Sequence, residues 1–405
     1  MFIRQDLLKI VPAYYYQDSG EQLKEKKNLF LILTLFYIYF IIALFESSRG
    51  NFVPFFLEEF RINNTQMSLV LTFNSIGSII GSYLGGHLCE RYGHKYVFFI
   101  GALVSTTAVL IAPFASSLFL LGLFNFLFGI GRQLWAVSVD SAIPVLSIGF
   151  ESILMNLTHF MYGLGSLTGQ TMYGRLLEYG LHWRSIYLYL GVFFLLSAVL
   201  TLLVRVPRIK VSAGREVKRR ELYKNPVIYL FVAAVTFEFL SESVIYTWFV
   251  SYTRSSYGFS PAAAAKYASV YYLLFASGRL AGGFILNKTG NLRGLQIYLL
   301  TGALLIFSGL LLRENGLLII AASGFFISIV FPTLMVIAYK VFKESTSYAI
   351  GYITTLANIF FMILFNVTGA LNDFAGTYGA FFIAPVSMIA CFAIISIINK
   401  RAVNE

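Results

Sequence analysis

The sequence predicts an all-α membrane protein, with twelve transmembrane helices arranged as two six-helix bundles. Three observations carry that expectation. Of the 405 residues, 58% are apolar, 17% aromatic and only 12% charged, far from the balance of a water-soluble domain. The apolar residues fall into runs long enough to cross ~30 Å of hydrocarbon as helices. An acidic motif also recurs between the two halves: Glu46-Ser47 followed by Phe52 and Phe56 is echoed 196 residues later by Glu242-Ser243 followed by Trp248 and Tyr252.

Residues 1–28 are polar and lack an apolar core, so a cytoplasmic N-terminal segment without a cleavable signal peptide is expected. Six spans follow, at 29–57, 66–88, 96–114, 117–139, 152–176 and 184–204, and make an N-terminal bundle over 29–204. Residues 205–225 form a basic linker, in which Arg205, Arg208, Lys210, Arg215, Lys218, Arg219, Arg220 and Lys224 face only Glu216 and Glu221. Six further spans, at 226–253, 262–286, 294–312, 316–341, 348–371 and 379–398, make a C-terminal bundle over 226–398. Residues 399–405 are a cytoplasmic tail. An even number of spans puts both termini on one side. Of the 30 Lys and Arg, counting those near the end of a span with the adjoining loop, 21 fall on that side, 6 on the other and 3 deep within spans. The positive-inside rule therefore places both termini in the cytoplasm of a multi-pass plasma-membrane protein.

The net charge of +11 is thus a topology signal, and no nucleic-acid partner is indicated. Membrane lipid is a partner by default, and the linker is either a solvated connector or attracted to anionic headgroups. Cys89 and Cys391 lie far apart, the four His are scattered, and there is no phosphate-binding glycine loop with a lysine. No cofactor, metal or enzymatic activity is expected, and the chain is read as a monomer.

The loop after the second span reads Gly86-His87-Leu88-Cys89-Glu90-Arg91-Tyr92-Gly93-His94-Lys95, and it returns after the eighth as Gly283-Phe284-Ile285-Leu286-Asn287-Lys288-Thr289-Gly290. Two features sharing nearly one offset indicate a duplicated unit. At these residues the chain resembles the major facilitator superfamily, whose signature in that loop is Gly-x-Leu-x-Asp-Arg-x-Gly-Arg-Lys. The resemblance implies the major facilitator fold, with alternating access to a central cavity. It also implies gating roles for Gly86, Glu90, Arg91, Gly93 and Lys95, and for Asp140 at the end of span 4. Within that superfamily, Glu242 with Trp248 and Tyr252, Phe331-Pro332-Thr333-Leu334-Met335, and Asn156, His159, Tyr162, Gly163 and Gly165 resemble the fucose permease-type sugar:proton symporters. Span 4 differs, carrying Arg132-Gln133-Leu134-Trp135 where that branch has an acid and an Asn. Glu46-Ser47-Ser48-Arg49-Gly50 is similar to the Glu-x-x-Arg-Gly of a glycolipid flippase.

A carboxylate in mid-membrane is costly and marks a candidate site. Glu46 and Arg49, three apart, are helical neighbours. They form either a switchable pair, in which the glutamate takes a proton when the arginine leaves, or a fixed structural bridge. Glu238 and Glu242, four apart, share a face, and two adjacent carboxylates in low dielectric do not both ionise readily. Glu46, Glu242 and Glu238 are therefore the proton-coupling candidates.

Arg132 and Arg279 need a partner or a water-filled cavity. Arg132, with Arg49, suits an anionic substrate, or else bridges internally to Asp140; Arg279 also fits a structural role. Asn156, His159, Gly163, Ser166 and Gln170 form one polar stripe, suited either to substrate hydroxyls or to helix packing. Trp135 and Trp248 can stack on a sugar or on an apolar drug, while Asn358 and Asn366 share a face of span 11. Together these residues predict secondary active transport: proton-coupled import of a sugar or related polyhydroxylated solute. Drug or metabolite efflux, glycolipid flipping, organic-anion transport and a non-transporting receptor remain as alternatives.

Overall fold

Pro332 breaks the tenth predicted span. A proline has no N–H to give the carbonyl four residues back, and its ring crowds that carbonyl. In the computed structural model of the chain the helix duly stops at Ile327 and resumes at Val330. The freed Ser328 carbonyl accepts instead from Arg279 Nε at 3.4 Å, so one membrane arginine is used to repair a proline break.

The structure describes residues 25–140, 151–204, 206, 224–342 and 346–402. Most of the N-terminal segment and of the basic linker, and the end of the tail, lie outside these residues. So do the side chains of Glu90, Asp140, Asn156 and His159.

All the described residues in regular structure are helical. The helices are α1 (Glu25–Glu59), α2 (Asn64–Tyr92), α3 (His94–Ile111), α4 (Leu118–Asp140), α5 (Glu151–Glu178), α6 (Trp183–Leu203), α7 (Pro226–Tyr257), α8 (Pro261–Thr289), α9 (Asn291–Leu311), α10 (Leu317–Ile327), α11 (Val330–Phe342), α12 (Thr346–Phe381) and α13 (Ile383–Ala402). Among the described residues, ten helical stretches are long and apolar enough to cross a membrane, with α10 and α11 joined in one of them. The sequence predicts twelve. The two outside the set are α5 and α8, 28 and 29 residues long, parts of which lie outside the described side chains.

Helix boundaries follow local chemistry. Asn63 and Gln66 cap α2 reciprocally, while Asn225-Pro226 and Ser260-Pro261 pair a side-chain cap with proline at the first helical position. The repeated loops take one backbone form. Gly93 (φ 90°, ψ 155°) ends α2, and Gly290 (φ 79°, ψ 148°) ends α8, in a region essentially closed to side chains.

Helices α1 to α6 pack mainly on one another, as α2 on α4, α1 on α5, and α3 on α4 and α6. Helices α7 to α13 do the same, with α7 on α12 and α13, α8 on α10, and α9 on α10 and α13. Small residues set the closest approach, since a Cβ on Gly77 would strike the Phe126 backbone and one on Gly129 the Asn74 backbone. Extensive contacts between the two groups run through α5–α8, α2–α12 and α1–α7.

One end of this seam is shut. The Asp373 carboxylate of α12 accepts from Asn64 N (2.9 Å) and Nδ2 (2.8 Å) and from Thr65 N (2.8 Å) and Oγ1 (2.5 Å), so it also sits on the positive N-terminus of α2. Two turns deeper along α12, Asn366 Nδ2 donates to Thr72 Oγ1 at 2.8 Å and Asn366 Oδ1 accepts from Ser68 Oγ at 3.2 Å. Among the described residues the opposite end, where α1 begins and α13 finishes, is open.

Candidate functional site

A cavity of about 1000 Å³ lies between the two groups of helices. Its two walls differ in chemistry. On the α1–α6 side, Asn74, Ser75, Ser78, Ser82 and Gln133 supply hydroxyls and amides around Glu46, Arg49 and Arg132. On the other side Phe239, Phe331, Phe361 and Phe365 line it and touch in sequence, with ring centroids 5.3 Å apart for Phe239–Phe331 and 5.5 Å for Phe361–Phe365. Glu242, Ser243, Tyr246, Thr354 and Asn358 punctuate this aromatic wall.

Glu46 anchors the polar wall. Its Oε1 receives Arg132 Nε at 2.9 Å, its Oε2 receives the Tyr162 hydroxyl at 2.5 Å, and Arg49 Nη2 stands off at 4.0 Å. The expected Glu46–Arg49 pair is thus the looser of two, and the close counterion comes from α4. Arg49 Nε and Nη2 are buried without a hydrogen-bond partner, so this guanidinium retains donors for a bound group.

Glu242 lines the cavity, and Glu238 precedes it by one turn of α7. Glu238 is only 3% exposed, and neither of its carboxyl oxygens has a hydrogen-bond partner among the described residues. Arg279 lies within electrostatic range of both, although its guanidinium rests over the Phe275 ring at 4.6 Å.

Of the other predicted site residues, Asn358 lines the cavity, with its Nδ2 on the Thr354 carbonyl at 2.8 Å. Four others lie elsewhere. Trp135 is directed at α6, its ring stacked on Phe194 at 6.1 Å, because Arg132, Gln133 and Ala136 already fill the narrow cavity-facing sector of α4. Trp248 Nε1 donates to Thr368 Oγ1 at 3.1 Å, and its ring backs Phe365. Gln170 ties α5 to α1, accepting from Asn51 Nδ2 at 2.6 Å and donating to the Ser47 carbonyl at 3.2 Å. Asn366 belongs to the shut end. Arg279 does not line the cavity either; it serves the Ser328 carbonyl.

The loop residues Gly86, Arg91, Gly93 and Lys95 lie at the open end, with Arg91 over the Tyr92 ring at 5.3 Å. The expected Arg91–Asp140 contact involves a side chain outside the described residues. Two residues with clear roles in the geometry, Tyr162 and Asp373, were not singled out as site residues by the sequence. Tyr162 had a signal, since it stands within the α5 motif; Asp373 had only its place at the end of an apolar run.

A family model for the Major Facilitator Superfamily matches residues 35–319. Over 421 aligned positions the chain is 26% identical to a protein named hexuronate transporter from Bacillus subtilis (strain 168), covering 94% of this chain and 98% of that one. Among solved structures, the E. coli fucose:proton symporter aligns with a TM-score of 0.65 at 17% identity, covering 92% of this chain and 99% of the other. A bacterial homologue of the human lysosomal transporter Spinster, inward-facing and unoccupied, aligns with a TM-score of 0.73 at 15% identity, covering 92% and 95%. At such identities the two structures speak to the fold.

Proposed function

Starting from the fact that this chain belongs to the Major Facilitator Superfamily and is a transporter rather than an enzyme, we propose that it imports a sugar or related polyhydroxylated solute together with protons. All twelve predicted segments then cross the plasma membrane, both termini are cytoplasmic, and the open end of the cavity faces the cytoplasm. The observation that carries the reading is the pair of cavity walls. Hydroxyl and amide groups on one side match the hydroxyls of a sugar, and the phenylalanines opposite match its C–H face.

Proton coupling is assigned to Glu46, Glu242 and Glu238. Glu242 holds or releases a proton at its carboxyl, with Glu238 one turn before it on α7. Glu46 is held as an anion by Arg132 and Tyr162, and becomes free to take a proton when a bound solute or the movement of α4 draws Arg132 away. Alternating access then follows from parting α2 from α12 and α5 from α8 at the shut end while the open end closes.

One observation favours a narrower reading, a sugar that bears a carboxylate. Arg49 Nε and Nη2, which make no hydrogen bond beside the cavity, suit a carboxylate, and a full-length relative carries the name hexuronate transporter. Purified protein in vesicles, driven by an imposed inward proton gradient, tests both readings. Accumulation of a hexuronate or of a neutral sugar supports import and selects between the two. Uptake of neither, with expulsion of a cationic dye, would replace both readings with drug efflux.

A further inference from the structure

A second cavity, of about 420 Å³, lies on the α5–α8 seam and shares no lining residue with the central one. Its charged lining residues are Arg175 of α5 and Lys266 of α8. Both are exposed, and neither has an ion-pair partner within 4.0 Å among the described residues. Two like charges on one cavity repel unless an anion lies between them.

Their depth is informative. Arg175 is one turn from the end of α5 at Glu178, and Lys266 lies in the second turn of α8, which begins at Pro261. By helical rise both sit within about 8 Å of the shut end, the level of lipid headgroups. From there the cavity runs past the Thr171–Ser269 hydroxyl contact (2.9 Å) to Leu167, Val270 and Leu273. Those residues lie roughly 6–12 Å deeper by the same rise. Cations above and an apolar crevice below make a site for an amphiphile with an anionic head.

We propose that this crevice binds an anionic phospholipid of the surrounding leaflet, with its phosphate between Arg175 and Lys266 and an acyl chain along Leu167, Val270 and Leu273. The two cations come from opposite groups of helices, so the lipid ties α5 to α8 where the seam is shut. Binding stands independently of the transport reading; the consequence, that the lipid slows reopening of this end, rests on it.

Native mass spectrometry of the full chain, titrated with phosphatidylglycerol or phosphatidylcholine, tests binding without any need for a substrate. Phosphatidylglycerol should be retained on the order of tenfold better, and the doubly substituted Arg175→Gln, Lys266→Gln protein should lose that preference. Leu273→Trp, which fills the crevice and leaves both charges, should weaken retention as well. Equal retention of the two lipids by the unaltered chain, retention unchanged in both variants, or displacement by millimolar inorganic phosphate alone would overturn the site. If substrate exchange runs equally fast in vesicles of either lipid while retention still differs, the lipid binds but does not restrain the seam.

Discussion

Arg132 Nε and Glu46 Oε1 stand 2.9 Å apart, bridging α4 and α1, whereas Arg49, on the same helix as Glu46, approaches only to 4.0 Å. The two arginines therefore have different work. Arg132 compensates the buried glutamate, and Arg49 is the freer donor.

Arg49→Gln should raise KM for a carboxylate-bearing sugar roughly ten- to hundredfold and leave a neutral sugar nearly unaffected, since one charged hydrogen-bonding group is lost. Arg49→Lys should fall between, keeping the charge but not the fork. Arg132→Gln should depress transport of both solutes, because Glu46 loses its close cation. Radiolabelled uptake with the two solutes side by side makes the comparison, and equal responses to both arginine substitutions would remove the distinction.

Glu242→Gln should abolish accumulation driven by a proton gradient while preserving exchange of substrate across the membrane. The amide imitates a permanently protonated carboxyl, so loading and reorientation survive. Full accumulation would exclude Glu242 from coupling, and loss of exchange would make it a binding residue instead.

Asp373→Asn should destabilise the shut end, because an amide keeps one acceptor oxygen where the carboxylate offers two to Asn64 and Thr65. The link is exposed, so an effect of about 1 kcal/mol, and a several-fold change in population, is expected. Labelling of cysteines introduced near Asp373 should rise, and labelling of cysteines along the open mouth should fall. Unchanged labelling would reduce this carboxylate to a helix cap.

Arg91→Ala should act in the opposite sense. If Arg91 pairs with Asp140 when the open end closes, its loss should raise labelling at the open mouth by a similar several-fold factor. Unchanged labelling on both sides would mean that the loop from Gly86 to Lys95 only packs.

Much of the fold was legible because membrane helices declare themselves through long apolar runs. Each predicted segment falls on helix, and the matching glycines 93 and 290 share one backbone form. The site was legible in part. Glu46, Arg49, Arg132, Glu242 and Asn358 do line the cavity, since charge in apolar surroundings is conspicuous. Trp135, Trp248, Gln170, Asn366 and Arg279 do not line it, because sequence gives depth along a helix but not which neighbour a side chain meets, when most faces are buried. The same gap hid the Tyr162–Glu46 and Asp373–Asn64 contacts, whose partners are 116 and 309 residues apart.

At the offset of 196 residues that relates Glu46 to Glu242, Arg132 falls on Ser328 and Tyr162 on Asn358. Both halves carry the same acid at that offset, and only Glu46 is held by a guanidinium and a phenol. Ser328 offers a carbonyl to Arg279 instead, and Asn358 bonds its own helix. The repeat survives as position but not as chemistry, and the twin glutamates stand in unlike surroundings.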